Sequence, residues 1–260
     1  MKRWWGLLRS LVVYWRPGRQ RGLRRLYRPF VGDGDLVFDV GAHLGDRTAA
    51  FQALGAQVVS LEPQAHLVPW LDRLVGRREG VTVRRTAVGA EEGSLSLWVS
   101  PTNPTVSTVA GEWKERVTKA NPGFRDVRWD EEERVPCTTL DALIQEFGEP
   151  AFCKIDVEGH EAEVLAGLSR PVPALSVEFV AGTLDVPLRC VERLEELGRY
   201  GYNVVSGETR HYLLEEWADA DEITAWLSAG AGSVASGDLY ARRSYAAPSP
   251  PSSPSPSSTP

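Results

Sequence analysis

The sequence predicts an α/β fold, a mostly parallel sheet with helices on both faces. Two observations carry that prediction. From Leu36 onward short apolar runs alternate with amphipathic stretches, as they do where buried strands are joined by crossover helices. The first such run ends directly in a glycine-rich turn, Gly41-Ala42-His43-Leu44-Gly45, and Asp46-Arg47-Thr48 then opens a helix. The 260 residues, 42% hydrophobic and 25% charged, hold enough apolar side chains for one sizeable core, so one main domain is expected.

Along the chain, residues 1–30 read as a basic amphipathic segment, 31–245 as the α/β domain and 246–260 as a tail. The first 29 residues carry nine basic side chains, among them Lys2, Arg3, Arg9 and Arg28, no acid, and the apolar Trp4, Trp5, Leu7, Leu8, Leu11, Val12, Tyr14 and Trp15. Two readings of that composition weigh equally: contact with an anionic membrane surface, or a helix whose apolar face packs on the domain or covers its cleft. Arg9 splits the apolar run and no small-residue cleavage site follows, which argues against a signal peptide, and the run cannot span a bilayer.

Strands are predicted at 36–40, 58–62, 81–87, 152–156, 174–180, 202–206 and 239–242, each a short apolar run. Helices fill the gaps at 46–54, 65–74, 140–147, 161–168 and 188–198. Between the third and fourth strands, residues 100–134 read as an irregular stretch containing Trp113, Phe124 and Trp129, of a length that carries function or is disordered. The tail from Ala246 is almost wholly Pro, Ser and Ala and cannot bury enough surface to order itself.

A net charge of -6 offers no attraction to nucleic acid, and no arginine-rich stripe follows the first thirty residues, so a polyanionic partner is disfavoured. Cys137, Cys153 and Cys190 show neither CxxC spacing nor a nearby histidine pair, so no disulfide and no zinc are expected. They read as core residues of a cytoplasmic protein that residues 1–29 could bring to the inner face of the membrane.

Three groups of residues carry chemistry. Glycines 41 and 45 let the backbone turn tightly and let a ligand approach main-chain amides. The dinucleotide fingerprint G-x-G-x-x-G is not met, because its first two positions hold Asp39 and Gly41, and a carboxylate at 39 suits an ammonium group better than a pyrophosphate. Glu62 closes the next strand, where a Glu accepts hydrogen bonds from both hydroxyls of a ribose; the plainer alternative is an acid favouring a helix N-terminus. The third group is Lys154-Ile155-Asp156-Val157-Glu158-Gly159-His160-Glu161, a buried strand delivering ionisable side chains to the same edge. These are candidates for substrate contact, proton removal or metal ligation, although Glu158 and Glu161 also suit a helix N-terminus and His160 a structural role. Asp156 ranks ahead of Glu158, and either ahead of His160.

Taken together, these pieces resemble the FkbM family of S-adenosylmethionine-dependent methyltransferases. The resemblance rests on Phe38-Asp39-Val40-Gly41-Ala42-His43-Leu44-Gly45 with Thr48, on Leu61-Glu62-Pro63, on Thr139-Leu140-Asp141, and on the run from Lys154 to Glu161 with Val164, Leu165 and Gly167. It covers about residues 31–242, and the last motif is the most specific. It implies a Rossmann-like sheet of seven strands and S-adenosylmethionine as cofactor, with Asp39 and Gly41 near the methionine part, Glu62 on the ribose, and Ala42, His43, Gly45 and Thr48 completing the cofactor loop. It also implies O-methylation of a hydroxyl on a sugar, glycan or natural product. The family commonly has Asn where this chain has His43, so the imidazole is either a local adaptation or an extra acid–base group.

Hydroxyl methylation is an in-line displacement at a sulfonium methyl, and the hydroxyl proton must leave as the oxygen attacks. Asp156, with His160 or His43, is expected to take it, and Trp98, Trp113 or Trp129 to offer a platform for a sugar ring, core packing being the equal alternative. A divalent metal held by Asp156, Glu158 and His160 ranks lower, since no ligand spacing compels it, and no metal is expected. Two rivals stand beside this reading. A nicotinamide-dependent oxidoreductase shares the architecture but should show a glycine in place of Asp39, and a catalytically decayed module would bind cofactor and turn nothing over.

Overall fold

The computed structural model describes residues 11, 12, 14–16, 18–100, 107–121, 124 and 127–244. The first ten residues of the basic segment and the Pro- and Ser-rich tail from 246 lie outside them. β1 (Leu36–Val40), the run LVFDV, is buried from Val37 onward because a parallel strand flanks it on each side, β2 (Gln57–Leu61) and β7 (Phe152–Ile155). β3 (Val81–Arg84) extends the sheet beyond β2, and β8 (Ala174–Val180), β10 (Ser236–Arg243) and β9 (Tyr200–Ser206) extend it beyond β7. The order is β3-β2-β1-β7-β8-β10-β9, seven strands with β10 alone antiparallel to its neighbours. From β1 the chain winds one way to β3, then returns to build β7 and β8 on the other side. That reversal opens a crevice beyond the carboxyl ends of β1 and β7, where ligands of such sheets bind.

Alternate side chains of each strand serve opposite faces of the sheet. Phe38 and Val40 join Leu61, Ile155 and Val177 on one face, under α5 (Leu140–Phe147), α6 (Glu161–Ala166), α7 (Asp185–Leu197) and α8 (Ala220–Ser228). Val37 joins Phe152 and Tyr240 on the other, under α1 (Arg19–Tyr27) and α2 (Asp46–Gln52). Caps fix the helix starts: the Thr139 hydroxyl accepts from the Ala142 N–H at 3.1 Å, and Asp219 and Glu222 form a reciprocal capping box.

The structure departs from the sequence reading in three places. The predicted strand 81–87 divides, Ala87 belonging to β4 (Ala87–Val88) in a second sheet with β6 (Glu131–Thr138) and β5 (Gly93–Val99). The stretch 100–134, read as irregular, contains α4 (Gly111–Ala120) and the start of β6. The predicted helix 65–74 is a single α-turn, α3 (Val68–Leu71), continued by a π-turn over Asp72–Gly76. β6 escaped notice because its Glu-rich start alternates between exposed and half-buried positions, and pairing with β5 rather than burial makes it a strand.

Four of the nine residues of α1 are arginine, yet Leu23, Leu26 and Tyr27 share one helical stripe and are buried against Phe51 and Phe152. Its first residue, Arg19, is buried and donates from Nε to Asp46 at 2.7 Å and from Nη2 to Glu208 at 2.9 Å. No helix among the described residues is long and apolar enough to cross a membrane.

Removing one partner of a buried ion pair costs about 3–5 kcal/mol, and Arg47 at 3.4 Å partly compensates Asp46. Arg19→Met is therefore expected to lose about 3 kcal/mol, a fall in Tm on the order of 6–12 °C at this chain length, in thermal unfolding. Arg21→Met, on the exposed side of α1, should change stability by less than about 0.5 kcal/mol.

Candidate active site

Beyond the ends of β1 and β7 lies a cleft with about 940 Å³ of open space, its mouth included. The register pairs Val40 with Ile155, and the Asp156 N–H donates to the Val40 carbonyl at 3.0 Å, so the turns after the two strands start side by side. A Cβ on Gly41 would stand 1.9 Å from the Asp156 carbonyl oxygen, and φ at Gly41 is +80°; glycine alone fits there.

On one side of the cleft, Gly41, Ala42 and His43 face Glu62. The Glu62 carboxylate accepts from the His43 N–H at 2.9 Å and from the Gln64 N–H at 2.9 Å. Burial pushes Glu62 up to about 7 against those bonds. His43 sits at φ +50°, in the left-handed region that Asn and His enter more readily than most residues. Its ring meets Tyr14 edge-on at 5.3 Å and its Nε2 is buried without a partner among the described residues. Burial lowers His43 to about 4, so the ring is neutral near pH 7.

Three expected cofactor residues do not reach the cleft. Asp39 follows Val37 onto the other face of the sheet, where it accepts from the Thr48 hydroxyl at 2.5 Å, and Thr48 in turn meets Ser60 at 2.8 Å. All three are buried, and burial holds Asp39 up at about 6 despite Thr48. They lock the turn from beneath. Gly45, at φ +75°, leaves room for Leu71 and Val75, each of which a Cβ there would meet at 2.7 Å.

The opposite wall is acidic. Lys154, fully buried, donates to Asp156 at 3.1 Å and lies 3.0 Å from Asp238. Burial would raise Asp156, but Lys154 and then Arg47 outweigh it and hold the carboxyl near 2. Glu178, on β8, is hydrogen-bonded to Asp156, and burial followed by the Asp156 charge pushes both Glu178 and Glu158 well up. Glu158 stands at φ +53° with its carbonyl accepting from the Thr108 hydroxyl at 2.5 Å, while its carboxylate Oε2 is buried with no partner among the described residues. Glu161 binds the turn beneath, accepting from the N–H groups of Val157 at 3.0 Å and Gly159 at 3.1 Å.

Asp156, Glu158 and His160 all line the cleft, but one oxygen each of Asp156, Glu158 and Glu178 gather within 4.8 Å, without His160. Glu178 was not singled out from sequence. Its signal was a lone acid inside the apolar strand Ala174–Val180. Asp46, Arg47 and Tyr14 also line the cleft unforeseen. The tryptophans do not: Trp113 is buried against Gly159, Phe124 and Trp129, and the Lys114 ammonium covers Trp98 at 3.4 Å.

A family model described as the methyltransferase FkbM domain matches residues 39–232. Over 180 residues the chain is 26% identical to hexuronic acid methyltransferase AglP of Haloferax volcanii, and the match spans 66% of this chain and 66% of that relative's length. Among solved structures it is similar to precorrin-6y C5,15-methyltransferase of Geobacter metallireducens, with a TM-score of 0.45 and 12% identity over 86% of this chain and 87% of that one. It is also similar to fibrillarin of Aeropyrum pernix in complex with S-adenosylmethionine, with a TM-score of 0.42 and 13% identity over 82% of this chain and 68% of that one.

The backbone at position 43 decides which residues it tolerates. His43→Asn should keep the native Tm within about 2 °C, whereas the β-branched His43→Val should lower it clearly. Because His43 is held below its ordinary value, the unfolded chain binds more protons between pH 6.5 and about 4, and acidification across that window destabilises the fold. His43→Asn should lose less stability than the native chain over that window in urea titrations. Equal losses would contradict the buried neutral ring.

Proposed function

The chain belongs to the FkbM methyltransferase family, and on that premise we propose that it transfers the methyl group of S-adenosylmethionine to a hydroxyl oxygen of a sugar, free or within a glycan. The observation that carries this reading is the shared cleft: the Gly41 turn and Glu62 stand on one side, and Asp156, Glu158 and Glu178 on the other. S-adenosylmethionine is the cofactor, and the residues present fit it. Glu62 is held by two backbone N–H groups yet lines the cleft, placed to accept from a ribose diol, while Gly41 and Ala42 leave the turn open to close approach. When bound, the cofactor supplies an electrophilic methyl on a sulfonium.

The protein's own part is to position the acceptor and take its proton. Asp156 is committed to Lys154 and Glu178, so we assign the proton to Glu158, which lines the cleft, whose Oε2 has no partner among the described residues, and which accepts a proton once ionised. That reverses the order expected from sequence and makes Asp156 a positioning residue. His43 is the weaker base, because burial lowers its ring to about 4. A sugar acceptor draws support from the hexuronic acid methyltransferase relative. Family membership removes the nicotinamide reading, and the retained buried acids speak against a decayed module.

Tritiated S-adenosylmethionine, incubated with the protein and a panel of neutral sugars, hexuronic acids and glycans, is expected to label a sugar as an alkali-stable ether. Label released by alkali would mean a carboxylate ester, and labelling of no sugar would overturn the acceptor class. With the acceptor found, Glu158→Gln should lower kcat by about 10²- to 10⁴-fold and keep S-adenosylhomocysteine affinity. Unchanged turnover would remove Glu158 as the base.

A further inference from the structure

Two strand ends bring three carboxylates together at the inner wall of the cleft. Asp156 and Glu158 follow β7, Glu178 lies on β8, and one oxygen from each lies within 4.8 Å of the others. A hard cation bonded to oxygens at about 2.0–2.6 Å separates opposite ligands by about 4–5 Å, so the spacing of the three oxygens matches the span of one ion.

The protein answers this charge only in part. Lys154, at 3.1 Å from Asp156, is shared with Asp238 at 3.0 Å. Arg47, the next cation, is shared with Asp46 at 3.4 Å and Glu208 at 3.8 Å. Glu161 adds another buried acid, spent on the N–H groups of Val157 and Gly159.

A second observation is independent of the clustering. Glu158 is only 9% exposed and lines the cleft, and its Oε2 has no hydrogen-bond partner among the described residues. A buried acceptor left unpaired costs about 1–3 kcal/mol, more if charged, so such groups mark a missing ligand.

We propose that Asp156, Glu158 and Glu178 hold a divalent cation of the magnesium or manganese class, whose open positions take two neighbouring oxygens of the acceptor. An all-carboxylate set suits Mg²⁺, Mn²⁺ or Ca²⁺ over the softer transition metals. The inference rests on the methyl-transfer reading and narrows its substrate to a chelating one, a vicinal diol or a hydroxyl beside a carboxylate. The cation orients the attacking hydroxyl and makes its proton more acidic. Each carboxylate commits one oxygen to the ion, so Glu158 keeps its other for the proton. The acceptor O–H breaks with its proton passing to Glu158, the O–CH₃ bond forms, and the methyl–sulfur bond breaks to leave neutral S-adenosylhomocysteine. No ligand spacing within the run from Lys154 to Glu161 compels a metal, and Glu178 arrives from the next strand of the sheet.

The test is calorimetric titration of Mn²⁺ into the full chain stripped with EDTA, with S-adenosylhomocysteine binding measured separately. One saturable Mn²⁺ site is expected, weakened more than about tenfold in Glu178→Gln and in Glu158→Gln, with S-adenosylhomocysteine affinity within about twofold of native. Circular dichroism checks that each variant folds; if Glu178→Gln does not, Glu158→Gln decides. No saturable Mn²⁺ binding to the native chain, or undiminished binding in a folded variant, overturns the proposal. Mn²⁺ failing while S-adenosylhomocysteine binds removes the cation alone. Mn²⁺ binding without S-adenosylhomocysteine keeps the cation site and removes the methyl-transfer reading on which its role rests.

Discussion

β1 and β7 lie side by side in the sheet, and the chain leaves them in turns whose backbones touch. Gly41 is so close to the Asp156 carbonyl that any side chain at 41 would drive the turns apart, and the Asp156 N–H donates to Val40 in the same place. The separation between the cofactor turn and the acid turn is thereby set by backbone contact, the stiffest ruler a fold possesses. Everything chemical in the cleft hangs from that junction: Glu62 through the His43 amide, and Glu158 two residues beyond Asp156.

Holding several acids in such a place is an electrostatic problem, since an isolated buried carboxylate is strongly disfavoured. The fold solves it by three means. Glu62 and Glu161 are held by backbone N–H groups, Asp39 by the Thr48 hydroxyl, and Asp156 and Asp238 by the buried ammonium of Lys154. Glu158 and Glu178 receive no cation of their own, and this imbalance, located where the acceptor must bind, separates the working part of the site from its scaffold.

The central strands were legible because LVFDV and its parallel partners are short, mostly apolar runs, a pattern that burial on both faces favours. α1 and β6 were not, because Arg-rich and Glu-rich segments reveal their buried stripe only when the partner that covers it is known. The same limit applied in the site. Glu62, Asp156 and Glu158 stand at strand ends, where position implies direction. Asp39 lies one step earlier, and strand alternation turns it away from the cleft to Thr48. Glu178 acquires meaning only once β8 lies against β7. His43, odd as a residue type beside a cofactor, is explained by a backbone angle that no local pattern encodes.

One cleft joins the cofactor turn to the acid cluster. The most direct measurement is a crystal structure of the full chain with S-adenosylhomocysteine. The ribose hydroxyls are expected on Glu62, the homocysteine part along the Gly41–His43 turn, and the sulfur directed toward Asp156, Glu158 and Glu178 across open space. A nucleoside bound away from Glu62, or a sulfur facing away from those three carboxylates, would contradict it.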